Sequence, residues 1–512
     1  MVLSGRRIDR AVDLPNLLVV GMSRSPDSTA IACAGERMTW RELDEASRRL
    51  ASGFAELGLR PGDRLASLLP NGLSNAVLHV ACLRAGLVTV PLNYRYTPAN
   101  IDHALEVCEA AALVAHAERA DDVAACRYVS LLPLGLIGSG DGFGDVGLEE
   151  LRSTPPDDSH LLPADPHAPA AIFFTSGSTG PAKGVSHSFE SLGWMTTTAV
   201  GAFELTADDV FLPASSLSHL GAIQCMLSSF AVGASVVIAH SLEAGEVLSL
   251  LRAHRPTILA ILPSALNAVV RDPGAASADF SSLRLCRVGA DRVSPELNQE
   301  FRRLTGFLIS EGYGMTEAGI VSLNPPSGEI RPGSVGLVAP GVQVRLVDDH
   351  GTDVPTGDVG RVLVKAPSLM VGYWNAPDAT ASVIGDGWLD AGDLARADED
   401  GYLWFAGRTK DIIVHDGSNV SPAEVESALA EHPAVDLAVV VGRHDPVHGE
   451  NVHAFVTLVD GAVRPREEEL IGFARERVGY RAPETIDFLD ALPLNPTGKV
   501  DRAALKSMIT ER

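Results

Sequence analysis

The chain has 512 residues, 46% hydrophobic and 21% charged, with a formal net charge of −24. That length exceeds one compact core, so at least two domains are expected, and the acidic balance excludes nucleic acid or an anionic membrane as the main partner, because both need a basic face. Six cysteines (Cys33, Cys82, Cys108, Cys126, Cys225, Cys286) are scattered with no C-x-x-C pair and no clustered His, which predicts reduced, buried thiols in a cytoplasmic protein. No apolar run approaches the ~18 residues of a membrane span, and the patch after Asp13 and Pro15 is too short for a secretory signal.

In chain order, "MTWRELDEASRRLASGFAELG" predicts a helix, with Leu43, Ala46, Leu50, Phe54 and Leu57 at helical spacing. "RPGD" then turns the chain into the strand "RLASLLP". Further apolar strands ("LVTVPL", "AALVAH", "AAIFFTS", "ASVVIAH", "TILAILP", "LRLCRVG") alternate with helical stretches. Continuous rather than alternating apolar strands predict an α/β fold with two sheets covered on both faces. From about Gly333 the pattern becomes turn-rich with period-2 alternation, predicting a small antiparallel sheet or barrel. Ser421-Pro422 marks a new helix start. The expected organisation is a large N-terminal domain, residues 1–409, and a small mobile α+β C-terminal domain, residues 410–512.

"TSGSTGPAKGV", Thr175 to Val185, follows one of those strands. Its spacing fails the G-x-x-x-x-G-K-[S/T] pattern, since Ala182-Lys183-Gly184 stands where Gly-Lys-Ser/Thr would be. The chemistry is still that of an anion cradle: glycines let backbone N–H groups converge, hydroxyls add donors and Lys183 adds a mobile charge.

Three further motifs follow in order: "SEGYGMTEAG", "GWLDAGDLARADEDGYLWFAGRTKDII" and "PLNPTGKVDR". Together the motifs resemble the adenylate-forming superfamily of acyl- and aryl-CoA ligases, firefly luciferase and peptide-synthetase adenylation domains, over nearly the whole chain. The resemblance implies that a carboxylate attacks the α-phosphate of ATP, pyrophosphate leaves, and a thiol attacks the acyl-AMP. It assigns Thr175, Ser176, Gly177, Ser178, Thr179, Gly180 and Lys183 to the β- and γ-phosphates. Tyr313 is assigned to adenine, with Gly289, Ala290 and Gly314 also beside the nucleotide. Thr316 is assigned to the α-phosphate and Glu317 to Mg2+. Asp393 and Arg408 would contact ribose, Lys499 would be the catalytic cation, and Lys410 the hinge.

For the acid, the resemblance places His219 of "LPASSLSHLGAI" where amino-acid-activating relatives have an Asp, which disfavours an amino acid. His219 then lines the carboxylate end. Gly312, Gly314 and Gly319 leave room for a ring or chain, so a fatty or aryl acid is expected. Arg287 and Arg292 are the only arginines in these segments, and a dicarboxylate such as malonate is left without support. For the acceptor, Asp416-Gly417 replaces a common Gly-Gly pair and His448 a common Trp along the thiol channel, and Asp291 is a further departure. Arg443, Arg475 and Arg477 are a weak candidate patch for the phosphates of CoA. CoA is the expected acceptor, with the phosphopantetheine of an acyl carrier protein as the alternative. A luciferase-like oxygenase and a catalytically silent binding protein are the rival classes, and a monomer or homodimer is expected.

Overall fold

A computed structural model of the chain describes residues 2–140, 142–157, 165–175, 182–289, 293–415, 418–445, 449–495 and 499–510. Their backbone forms four sheets. The expected helix runs Trp40–Leu57 and begins with a capping box, in which the Thr39 hydroxyl accepts from Glu42 N–H and the Glu42 carboxylate accepts from Thr39 N–H. Gly58 ends it at φ 107, a left-handed geometry suited to a residue without a side chain. Leu43, Leu50 and Phe54 are fully buried on one face, each contributing about 1.5–3 kcal/mol of apolar burial.

Two large sheets follow the expected pattern. One has eight strands, with Arg64–Leu68, Val88–Pro91, Ala112–His116 and Leu136–Ser139 parallel at its centre. Pro169–Thr175 pairs parallel with Val88–Pro91 and antiparallel with Lys183–Ser188, so the candidate phosphate loop connects the strands of a hairpin. The other has nine strands, with Thr29–Cys33, Ser235–Ile238, Val210–Ala214, Ile258–Ile261, Leu285–Val288 and Ser310–Met315 parallel and in that spatial order. One apolar cluster joins Val114 and Phe173 of the first sheet to Ile31 and Val236 of the second through Leu50, Val80 and Met226. Helices Trp40–Leu57, Leu73–Arg84 and Leu220–Val232 are therefore buried between the sheets, which is why the strands read as unbroken apolar runs.

The alternating region after Gly333 forms a six-stranded antiparallel sheet. It includes Gln343–Val347, Gly360–Lys365, Trp388–Ala397 and Leu403–Arg408, and it also recruits Val2–Ser4 from the N-terminus. A fourth sheet, centred on Val435–Asp445 and Gly449–Leu458, has its own core of residues from Ile413 onward, including Val425, Leu429, Val440 and Leu470. The helix expected at Ser421-Pro422 is Pro422–Ala430, but Ser421 does not cap it with its side chain. Its hydroxyl donates instead to the Ala406 carbonyl at 2.6 Å, tying this unit to the strand before it. All six cysteines are buried and free of disulfides. No helix among the described residues is long and apolar enough to cross a membrane.

Candidate active site

Tyr313 lies in strand Ser310–Met315 and Asp393 in strand Trp388–Ala397. The Tyr313 hydroxyl donates to Asp393 Oδ2 at 2.6 Å. Arg408 is the cross-strand partner of Asp393, and its Nε lies 3.3 Å from Oδ1. Asp393 is 6% exposed; loss of solvation raises its carboxyl above the usual range, opposed by the Tyr313 hydroxyl and the Arg408 charge. Desolvation and the Asp393 charge push the Tyr313 hydroxyl up, so it stays a donor at neutral pH. A carboxylate has about four acceptor sites, which leaves Asp393 capacity for a vicinal diol. Phe405 faces Tyr313 with ring centroids 6.1 Å apart.

The loop from Ser176 to Gly180 lies outside the described residues. Thr175 and Lys183 are register partners across the hairpin. Lys183 Nζ sits 4.9 Å above the Tyr373 ring, and the Tyr373 hydroxyl donates to Glu317 Oε1 at 3.0 Å. Tyr373 belongs to the edge strand Gly372–Tyr373, paired with Val185 and Ser186. It therefore bridges the loop's exit strand to the turn carrying Thr316 and Glu317. Burial first, then the Glu317 charge, raise its hydroxyl above the ordinary value. His187, fully buried, donates from Nε2 to the Thr316 carbonyl at 2.8 Å, with Nδ1 3.3 Å from Ser191 Oγ. Desolvation lowers the His187 pKa to about 4, so the ring is neutral and its tautomer is set by that carbonyl.

His219 stands at the N-terminus of helix Leu220–Val232. Asn93 Nδ2 is 3.3 Å from its Nε2, which makes Nε2 the acceptor and leaves the proton on Nδ1. Desolvation, then the charge of Lys499, lower its pKa to about 4. The charge of Lys499, from the last segment of the chain, is thus felt at His219. The Lys499 loop is pinned at its base: Asn495 N–H donates to the Lys499 carbonyl at 2.7 Å, Lys499 N–H donates to Asn495 Oδ1 at 3.1 Å, and Leu494 bridges to Val500.

The glycines have a different reason from the spare acyl room expected of them. A Cβ on Gly312 would lie 2.8 Å from Leu323 Cδ1, and on Gly314 2.5 Å from the Gly319 carbonyl oxygen. Gly319, at φ +76, has Met195 Cγ 2.6 Å from where its Cβ would be. Close packing within the hairpin at Gly312 and Gly314, and against helix Phe189–Ala202 at Gly319, disfavours a side chain at these positions. Gly289 is covered by the Arg287 guanidinium, whose Nη2 would be 2.7 Å from a Cβ there.

Lys410 lies in the turn Thr409–Asp411, and desolvation followed by the neighbouring Arg408 charge lowers its pKa. Arg477 of the weak CoA patch is occupied by Glu431 at 2.7 Å and by the Phe473 ring. Ala290, Asp291, Arg292, Asp416, Gly417 and His448 lie outside the described residues. Sequence reasoning missed Tyr373, His187 and Asn93. A histidine inside the buried strand Lys183–Ser188, immediately after the loop, was the available signal for His187.

The chain belongs to the AMP-binding enzyme family: the family's profile matches residues 20–374, and that of the AMP-binding enzyme C-terminal domain matches residues 424–499. It is of the AMP-forming acyl-CoA synthetase type. A feruloyl-CoA synthase from Amycolatopsis sp is 36% identical over 482 residues, covering 93% of this chain and 95% of the relative. A fatty acid–[acyl-carrier-protein] ligase, ScoC, from Streptomyces coeruleorubidus is 31% identical over 94% of this chain and 93% of its own length. Among solved structures, ATP-bound MatB from Rhodopseudomonas palustris superposes with a TM-score of 0.89 at 29% identity, covering 96% of this chain and 98% of that one.

Proposed function

We propose that the chain activates a fatty or aryl carboxylic acid with ATP and Mg2+ and transfers the acyl group to CoA. The observation that supports the reading is the cluster of Tyr313, Asp393 and Arg408, in which a buried carboxylate is held by a tyrosine hydroxyl and an exposed guanidinium. Asp393 accepts the ribose hydroxyls, with Arg408 and Tyr313 holding its carboxylate in orientation. Thr175, Lys183 and the loop between them receive the β- and γ-phosphates. The Lys499 ammonium neutralises charge where the carboxylate oxygen meets the α-phosphorus. A new oxygen–phosphorus bond forms there as the bond to pyrophosphate breaks. His219, neutral at pH 7, offers its Nδ1–H without competing with Lys499 for the anion. A thiolate then attacks the acyl carbon, and AMP leaves.

Glu317 suits Mg2+, a hard cation that takes one or two carboxylates and fills its shell with phosphate oxygens and water. Tyr373 occupies Oε1 of Glu317 and leaves Oε2 for the cation. Among the described residues no cluster of three His, Cys, Asp or Glu side chains surrounds a metal position. The cation when bound would neutralise developing phosphate charge.

Lys410, between the antiparallel sheet and the unit with its own core from Ile413, is proposed as the hinge that exchanges the adenylating arrangement for the thioester-forming one. The ScoC relative supports a second reading, in which the acceptor is the phosphopantetheine of a carrier protein. Carboxylate-dependent ATP–pyrophosphate exchange over fatty, aryl, hydroxycinnamic, dicarboxylic and amino acids tests the activation. Competition between CoA and a loaded carrier protein tests the acceptor: no acyl-CoA at saturating acyl-AMP would exclude CoA.

A further inference from the structure

Arg64–Leu68 and Val88–Pro91 are neighbouring parallel strands of the eight-stranded sheet, and the segments after them carry Asn71 and Asn93. Val210–Ala214 and Ser235–Ile238 are neighbouring parallel strands of the nine-stranded sheet. The first of these runs into a turn, residues 215–218, and then into His219. Open α/β sheets bind ligands outside the carboxyl ends of their strands. Both asparagines reach this region of the nine-stranded sheet from the other one.

The Asn71 amide is bonded at both ends. Nδ2 donates to the Ser215 carbonyl at 3.0 Å and to the Ala239 carbonyl at 2.8 Å, while Oδ1 accepts from the Leu217 N–H at 2.8 Å. Carbonyls only accept and an N–H only donates, so these partners allow one orientation of the amide. The Asn71 main-chain carbonyl accepts from His240 Nδ1 at 3.0 Å. One residue of the eight-stranded sheet thus ties down the carboxyl ends of two adjacent strands of the other. Past Leu217 the turn is held locally. His219 N–H donates to the Ser216 carbonyl at 3.0 Å, and Ser218 N–H donates to Ser216 Oγ at 3.2 Å. A shift of Leu217 therefore carries His219 with it, away from Asn93 at 3.3 Å. Loss of the amide would leave two carbonyls and one N–H to find other partners, which drives such a shift.

We propose that Asn71 is a positioning residue for the acid end of the cleft: its amide sets the place of His219 and so governs the KM for the carboxylic acid, not that for ATP. The proposal rests on the ligase reading above, in which His219 lines the carboxylate end. Its selectivity follows from where the bonds go. Asn71 holds Ser215, Leu217, Ala239 and His240, whereas Tyr313, Asp393 and Arg408 stand on Ser310–Met315, Trp388–Ala397 and Leu403–Arg408. A misplacement of about 1 Å in a reacting group can cost on the order of 100-fold, so a smaller shift of the turn has a measurable effect.

The test is ATP–pyrophosphate exchange with the best acid of the panel above, in wild type, Asn71→Ala and Asn71→Asp. Asn71→Ala is expected to raise the KM for the acid on the order of 10-fold, with the KM for ATP within about 2-fold of wild type. Asn71→Asp keeps the shape and the acceptor for Leu217 N–H but turns an oxygen towards two carbonyls. It is expected to show the same split, and it guards against a folding failure of the Ala variant. Asn71→Ala is also placed in a His219→Ala background. There it is expected to change the KM for the acid by less than about 2-fold, because the group it positions is gone. A lower kcat with both KM values unchanged, or an equal rise in both, would make Asn71 part of the scaffold alone and overturn the proposal. Effects that multiply in the double variant would overturn its action through His219. Either result leaves the ligase reading standing, whereas wild-type exchange with no acid at all, with ATP binding shown separately, would overturn both.

Discussion

Oδ2 of Asp393 accepts a 2.6 Å hydrogen bond from the hydroxyl of Tyr313, and the two residues come from different sheets. The contact fixes the antiparallel sheet against the nine-stranded one, at the proposed nucleotide site. Tyr313→Phe removes the donor and keeps the ring. It should raise the KM for ATP by about 5- to 10-fold and lower stability by about 1 kcal/mol, the ordinary net worth of one hydrogen bond. Asp393→Asn should cost more, about 100-fold in kcat/KM for ATP, because the charged acceptor is lost. ATP titrations of the exchange reaction check both, and an unchanged KM in both variants would remove Asp393 from the ribose site.

Glu317 and Lys183 are coupled through Tyr373. Glu317→Gln should raise the Mg2+ concentration needed for half-maximal exchange at least 10-fold, while the Tyr373→Phe variant should raise it only 2- to 5-fold, since the carboxylate survives and only its orienting donor is lost. Metal titrations at fixed ATP distinguish the two. Identical titration curves for all three proteins would place the cation elsewhere.

Three buried histidines make the fold acid-sensitive. His79, His187 and His219 each have a pKa lowered by desolvation from 6.5 to about 4. Below pH 6.5 the unfolded chain takes up protons that the folded chain refuses until about pH 4. Stability is therefore full above pH 6.5 and is lost as the pH falls towards 4, by on the order of 3 kcal/mol per histidine. Urea midpoints measured from pH 7.5 to 4.5 should fall steeply below 6.5. His187→Gln keeps a donor for the Thr316 carbonyl and removes one titration, so its profile should be shallower. A steeper or identical slope would contradict the assignment.

Arg271 of helix Pro263–Arg271 holds Asp436 across the join between the large sheets and the C-terminal unit. The pair is partly exposed, so its worth is only about 0.5–1 kcal/mol. That still corresponds to a population shift of about 2- to 5-fold. Arg271→Ala should lower adenylation relative to thioester formation by that factor, read from the two half-reactions separately. Equal effects on both would mean the pair does not favour one arrangement.

Much of this was legible because the chain signals it locally. Leu285–Val288 and Ile258–Ile261 are short apolar runs between turns, as strands covered on both faces must be, and Thr39 and Glu42 mark a helix start by their spacing alone. The motif residues Tyr313, Asp393 and Arg408 lie in three different strands and meet only through sheet packing, which the order of motifs implied but spacing could not derive. Val2–Ser4 was missed because three residues carry no periodicity. Tyr373 was missed because its two-residue strand matters only through pairing with Val185 and Ser186. Gly312, Gly314 and Gly319 were expected to leave acyl room, and close approach by neighbouring atoms selects the same residue type.

Lys499 is proposed to act at the carboxylate–phosphate junction. The direct measurement is Lys499→Ala assayed in both half-reactions: acid-dependent ATP–pyrophosphate exchange, and thioester formation from supplied acyl-AMP and CoA. The expected result is loss of exchange by at least about 100-fold, the scale of one transition-state donor, with thioester formation within a few-fold of wild type. Equal loss in both half-reactions, or exchange that survives, would contradict the account.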